Sequence, residues 1–186
     1  MGANAEVVKP DPAFRKQVEE KLGNKISSCF HCNKCSSGCP VTFAMDFLPN
    51  KVVRMVQMGM KDQVLRSSTI WLCASCQTCT TRCPNDVDIA ALMDGLREMT
   101  VSEGVEVAEE SVPLFHDAFL AEVEKRGRVF EVGMLARFKL KTRKEGGLFK
   151  DAELGWEMFK KGKLKLLPDK ISKREEVREI FRKSGA

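Results

Sequence analysis

Eight cysteines in two copies of one spacing constrain this chain more than any other feature of its 186 residues. The first copy runs Cys29, Cys32, Cys35, Cys39 and then Pro40, and the second runs Cys73, Cys76, Cys79, Cys83 and then Pro84. No cysteine is left over. Three thiolates spaced two residues apart can wrap one iron–sulfur cubane, because the loop curls around it and aims each sulfur at a different iron. The fourth cysteine lies beyond the curl, where proline turns the chain away. In two-cluster proteins with this spacing the fourth cysteine ligates the other cluster. The pattern therefore predicts two [4Fe–4S] clusters, one on Cys29, Cys32, Cys35 and Cys83, the other on Cys73, Cys76, Cys79 and Cys39.

Other uses of eight cysteines fit less well. A disulfide framework needs an oxidising compartment, and eight cysteines would permit 105 connectivities. Structural zinc uses separated Cys-x2-Cys pairs rather than runs of three thiolates with a fourth before proline. A zinc-stabilised interaction module remains the non-redox alternative. With cysteine filling every iron, no site is open for Lewis-acid chemistry. No Gly-rich phosphate loop or nucleophile–base pair appears either, so no catalytic residue is assigned. His31, inside the first loop, could tune its cluster by hydrogen bonding or face solvent. Trp71 could shield the second cluster or simply pack. His116 is expected at a surface.

The segments around the cysteines read as helices. Pro49 suits a first helical turn, Val52, Val53, Val56 and Met60 recur at helical spacing, and Gly59 is expected to end or bend that helix. A short helix over 61–66 leads to Ile70, Trp71 and Leu72. Asp88 can cap a helix carrying Ile89, Leu92, Met93, Leu96 and Met99 or Thr100. An earlier helix is expected from about Pro12 to Leu22, ended by Gly23. Further on, Ser111 could cap a helix with Leu114, Phe115, Ala118, Phe119 and Val123 along one side and Gly127 at its end. Another helix is expected near 129–135. No period-two alternation supports hairpins. The fold class expected is all-α: a helical ferredoxin domain with an extended, partly irregular C-terminal arm. The segments are 1–24, 25–104 and 105–186.

Charge is split along the chain. Residues 137–186 hold 16 Lys and Arg against 8 Asp and Glu, whereas residues 1–136 hold 15 against 18. Two clusters with their thiolates add about −2 each, giving an acidic body and a basic arm. The arm has no aromatic stacking pattern or nucleic-acid motif, which argues against a nucleic-acid partner. Its scattered anchors (Leu148, Phe149, Leu154, Trp156, Met158, Phe159, Leu164, Leu166, Leu167, Ile180 and Phe181) suggest burial against an acidic protein partner, the alternative being a loosely packed tail that covers its own domain. No apolar run approaches a membrane span, and 1–6 lack a secretory core, with Glu6 where a myristoylation motif wants Ser or Thr. A cytoplasmic protein without direct membrane insertion is expected.

The segments 49–59, 70–79 and 82–84, with Val112-Pro113-Leu114-Phe115-His116, 127–131 and 161–164, resemble the C subunit of soluble heterodisulfide reductase. The resemblance implies an α-helical ferredoxin fold and an electron-relay role. Its partners would be a flavin- and iron–sulfur-containing A subunit and a B subunit with non-cubane clusters. The latter cleaves the coenzyme M–coenzyme B heterodisulfide in methanogens, often with a hydrogenase or formate dehydrogenase attached. A soluble relative serving another thiol, sulfur or quinone-linked oxidoreductase is the alternative.

Overall fold

The structure is a computed structural model that describes residues 10–23, 25–142, 152–163, 167–169 and 171–184. Contacts divide the chain into two units, one ending at Glu109 and one beginning at Glu110. All regular structure among the described residues is helical, and the fold is that of an α-helical ferredoxin. None of these helices is long and apolar enough to cross a membrane.

The first unit holds α1 (Phe14–Leu22), α2 (Lys34–Ser37), α3 (Pro49–Gln57), α4 (Lys61–Leu65), α5 (Thr69–Leu72), α6 (Thr78–Thr81) and α7 (Ile89–Ser102). Pro49 occupies the first turn of α3, and Leu48 before it is extended, as a residue preceding proline must be. The face of α3 that carries Val52, Val53 and Val56 is fully buried. Met60, assigned to that stripe from its spacing, lies beyond the helix, because the chain turns at Gly59. Gly59 adopts φ +73, and a Cβ there would collide with the carbonyl oxygen of Asp11. Asp11 N donates to Gly59 O at 2.7 Å, so the glycine lets two backbone segments touch.

The Asp88 carboxylate accepts from Ala91 N, capping α7 as its sequence suggests. Along α7, Ile89, Leu92, Met93, Leu96, Met99 and Thr100 are all buried. Helices α1, α4, α5 and α6 pack on it. Each fully buried apolar side chain of this size contributes about 1.5–3 kcal/mol, so α7 is the beam of the unit. Helix α1 begins at Phe14 rather than Pro12, since the Asp11 side chain accepts from Ala13 N and holds the preceding residues in a turn. Phe14 and Val18 are completely buried.

The second unit holds α8 (Ser111–Arg126), α9 (Glu131–Lys141), α10 (Ala152–Lys160) and α11 (Arg174–Ser184), with α9 and α11 packed on α8. Gly127, left-handed at φ +82, ends α8. Ser111 does not cap this helix: the cap position is Glu110, with no side-chain bond. The apolar side read from α8 is only partly covered, for Phe115 and Phe119 are exposed while Ala118 and Glu122 are buried. Glu122 is neutralised by Arg126 at 2.7 Å, and Arg126 also lies over the Phe130 ring. A helix side needs a covering partner to be buried, and here only Ala118 and Met134 are buried apolar residues among those described. Of the anchors named above, Leu148, Phe149, Leu164, Leu166 and the side chain of Leu154 lie outside the described residues, as do residues 1–6.

Candidate iron–sulfur centre

The two cysteine loops have one backbone conformation. In the first, a short 3₁₀ turn (Ile26–Ser28) ends at an extended Cys29, and His31 and Asn33 are left-handed at φ +61 and +67. Helix α2 then carries Cys35, and Cys39 N donates to Ser36 O. In the second, α5 ends at an extended Cys73, and Ser75 and Gln77 are left-handed at φ +48 and +63. Helix α6 carries Cys79, and Cys83 N donates to Thr80 O. Four left-handed non-glycine residues at matching places each cost on the order of 1 kcal/mol and persist only where the surroundings fix them. Such alternation curls the backbone into a concave nest whose N–H groups suit an anionic iron–sulfur core.

Each loop is fastened to the helix that follows it. Ser36 Oγ donates to Asn50 Oδ1 at 2.7 Å and accepts from Asn50 N at 3.0 Å, at the start of α3. Its counterpart Thr80 donates to Asp88 Oδ1 at 2.8 Å and accepts from Ala90 N at 3.2 Å, at the start of α7. His31 Nε2 lies 2.8 Å from Gln57 Oε1 of α3. Its counterpart Ser75 donates to Asp94 Oδ1 at 3.1 Å and accepts from Arg97 at 3.0 Å, both on α7.

The two loops also reach across to each other. Cys39 lines one cavity with Cys73, Cys76 and Cys79, and its walls are apolar, from Val41, Pro49, Ile89 and Met93. On the other side, Asn85 Nδ2 donates to Ser28 O, which ties the turn after Cys83 to the residue before Cys29. The Cys83 sulfur accepts from Val87 N at 3.3 Å. The Arg82 guanidinium fills the space where a Cβ on Gly38 would stand. Gly38 and Arg82 are themselves counterparts, each directly before the fourth cysteine of its run. A third link runs from Asp46 to the start of α5. Asp46 Oδ1 accepts from Phe47 N and Thr69 N at 2.9 Å and from Thr69 Oγ1, while Oδ2 accepts from Ser68 N at 2.9 Å. Burial acts to raise the Asp46 carboxyl, yet the Thr69 hydroxyl and the three backbone N–H groups outweigh it and hold it below its ordinary value.

Thiol chemistry suits iron. Burial pushes the Cys35, Cys73 and Cys79 thiols up, with the Cys29 thiol adding to the effect at Cys35 and the Cys39 thiol at Cys73. A desolvated thiol gives up its proton when a metal cation takes the proton's place. Cys76, exposed beside Thr78 Oγ1 at 3.4 Å, is lowered by that hydroxyl. Among the described residues no three Cys, His, Asp or Glu groups close on a single ion, and a cubane, which gives each thiolate its own iron, does not require them to. Two thiol-rich nests, the second with apolar walls, fit [4Fe–4S] clusters.

Residues 25–87 match the family model of the 4Fe–4S dicluster domain. The chain carries a dicluster domain. Its cofactors are two [4Fe–4S] clusters. The chain is similar to the iron–sulfur C 2 subunit of CoB–CoM heterodisulfide reductase from Methanocaldococcus jannaschii, 36% identical over 85 residues, 46% of this chain and 45% of the relative. It is 30% identical over 94 residues to the iron–sulfur C subunit of the same enzyme from Methanopyrus kandleri, 50% of this chain and 47% of the relative. With the C subunit of the H2:CoB–CoM heterodisulfide,ferredoxin reductase from Methanothermobacter marburgensis it shares 27% over 94 residues, 50% of this chain and 51% of the relative. The chain thus spans about half the length of the curated relatives it matches.

Of the other residues singled out in the sequence, Trp71 is buried on α5 and is not among the residues lining the second-loop cavity. Its Nε1 has no hydrogen-bond partner. His116 is exposed on α8, edge-on to Phe115. Asp46, Gln57, Asn85 and the Gly38–Arg82 pair give no sign in the sequence, because their roles depend on partners distant along the chain.

Proposed function

We propose that this chain is the electron-transfer subunit of a heterodisulfide reductase complex, itself without a substrate site. It would stand between a flavin-containing A subunit and a B subunit that reduces the coenzyme M–coenzyme B heterodisulfide, with a hydrogenase or formate dehydrogenase in the larger assembly. When bound, the [4Fe–4S] clusters supply one-electron storage. The chain's own residues hold that cofactor pair: Cys29, Cys32 and Cys35 with Cys83, and Cys73, Cys76 and Cys79 with Cys39. The observation that carries the reading is the shared cavity of Cys39, Cys73, Cys76 and Cys79, together with the Asn85 tether of the Cys83 turn to the first loop. Crossed ligation of this kind keeps both clusters in one rigid frame, close to each other, as a relay needs. Cys32 and Cys76, the exposed thiols, give each cluster an edge toward a partner.

Within this reading 25–104 is the relay domain, 1–24 its leading helical segment and 105–186 a docking arm. The arm supports it by leaving Trp156 on α10, Ile180 on α11 and Leu167 between these helices exposed. Because the likeness to relatives covers about half of each chain, a second reading keeps the relay and changes the final acceptor to another thiol, sulfur or quinone-linked partner.

Anaerobic purification from the native host, with iron and acid-labile sulfide analysis, tests both levels. The relay predicts about eight irons per chain with matching sulfide. Zinc without sulfide would refute it. Co-elution with a flavoprotein and a second cysteine-rich protein, with heterodisulfide reduction, supports the first reading, whereas other redox partners without that activity support the second.

A further inference from the structure

The Gln57 side chain meets the first loop and the turn before it at three points. Its Nε2 donates to Ile26 O at 2.9 Å and to Cys29 O at 3.2 Å. Both partners are carbonyl oxygens, so the amide nitrogen must face them and the orientation of the side-chain amide is fixed. Oε1 is thereby turned to His31 Nε2 at 2.8 Å, with Arg54 donating to the same oxygen at 3.4 Å. An amide oxygen only accepts, so Nε2 of His31 must carry the hydrogen. In the neutral ring the other nitrogen, Nδ1, is then bare. Nδ1 lies 4.0 Å from Cys29 Sγ. The ring is half-buried and is held by the 2.8 Å bond to Gln57.

We propose that Gln57 is a positioning residue that fixes the tautomer of His31, so that the ring presents a bare nitrogen rather than an N–H to Cys29 Sγ and the first cluster sits at a lower midpoint potential than a donating histidine would give it. The inference rests on Cys29 ligating the first cluster, as proposed above. N–H donation to a ligating sulfur stabilises the reduced, more negative cluster and raises its potential. Withholding that donation therefore leaves the first cluster the stronger reductant. The second loop has no counterpart, because Ser75 occupies the position of His31 and its hydroxyl is engaged by Asp94 and Arg97.

The test is an EPR-monitored redox titration of both clusters in the anaerobic holoprotein at pH 8.5, above the range in which histidines ordinarily titrate. Gln57→Leu removes the acceptor at Nε2 and frees the ring to carry its hydrogen on Nδ1, so the first midpoint potential should rise while the second stays in place. Gln57→Glu loses the same two bonds to Ile26 O and Cys29 O but keeps an acceptor for Nε2–H, and the first potential should not rise. His31→Phe should leave the first potential unlowered, since no donor is lost, and should abolish the rise caused by Gln57→Leu. A parallel rise in both Gln57 variants would show a general loosening of the loop and overturn the proposal. So would a fall in His31→Phe, or a Gln57→Leu effect that survives without the ring. If Gln57→Leu does not load its first cluster, the His31→Phe measurement still decides. Wild-type protein lacking iron and sulfide would instead remove the function proposed above, a result distinct from an unchanged potential.

Discussion

In the first cysteine loop the left-handed residue two places after the opening cysteine is His31, gripped by the neutral amide of Gln57 from α3. In the second loop the equivalent residue is Ser75, gripped by the Asp94–Arg97 ion pair from α7. The backbone is the same in both, down to the hydrogen bond from the fourth cysteine and the Ser or Thr that ties the loop to the next helix. A nest for a cubane thus demands a backbone shape and not a particular set of side chains. The side chains are free to differ, and they set what each cluster experiences. The first loop is held by an amide whose oxygen also accepts from Arg54, and Cys35 is its buried thiol. The second has a cation close enough to lower the Cys73 thiol, against the larger effect of burial.

Exchange of the fourth cysteines would break the comparison most severely. Cys39→Ala should cost the second-loop cluster and Cys83→Ala the first-loop cluster, each with loss of about four irons per chain. Iron analysis with EPR of the remaining cluster checks this, and loss of the cluster in the same loop as the mutation would sink crossed ligation.

Arg97→Gln should lower the midpoint potential of the second cluster by an amount on the order of tens of millivolts, because a cation near the thiolates favours the reduced state. The first cluster should not respond. A shift shared by both clusters would mean that the loops are electrostatically less separate than their fastenings suggest.

Asp46→Asn should destabilise the start of the second motif by about 1 kcal/mol, the usual worth of a lost helix cap. The Asp46 carboxyl is held below its ordinary value in the fold. Its contribution is therefore fully present above the unfolded carboxylate range, about pH 4, and is lost as pH falls further through the lowered folded value. Wild type and Asp46→Asn should differ at pH 7 in the rate of bleaching of cluster absorbance by chelator. Being fully present above about pH 4, the contribution should leave that gap constant between about pH 6 and 8, and a gap that closes within that range would contradict the assignment.

The smallest effect is expected from Gly38→Ala. The new methyl group would displace the end of the Arg82 side chain, which is flexible and can swing into solvent. Both clusters should load and stability should change by less than about 1 kcal/mol. Loss of a cluster would show that the Arg82–Gly38 contact braces the loops rather than merely filling space.

Much of this is legible in the residues alone. The cysteine spacing is a local pattern and specifies local geometry, so the eight thiols can be named from it directly. Asp88 is legible as a cap and the face of α7 as buried, since both follow from positions three or four apart on one helix. The α8 stripe misleads for the opposite reason. Periodicity reveals that a helix has an apolar side, and only the presence of a neighbour decides whether that side is covered. Asp46, Gln57 and Arg82 carry no signal because each acts on a partner twenty or more residues away. The sequence by itself determined the helical class and the thiols, both of which arise from short-range spacing. Only the tertiary structure brought Cys39 into one cavity with Cys73, Cys76 and Cys79, set His31 Nδ1 4.0 Å from Cys29 Sγ, and supplied what grips each loop, because those depend on segments that meet through folding.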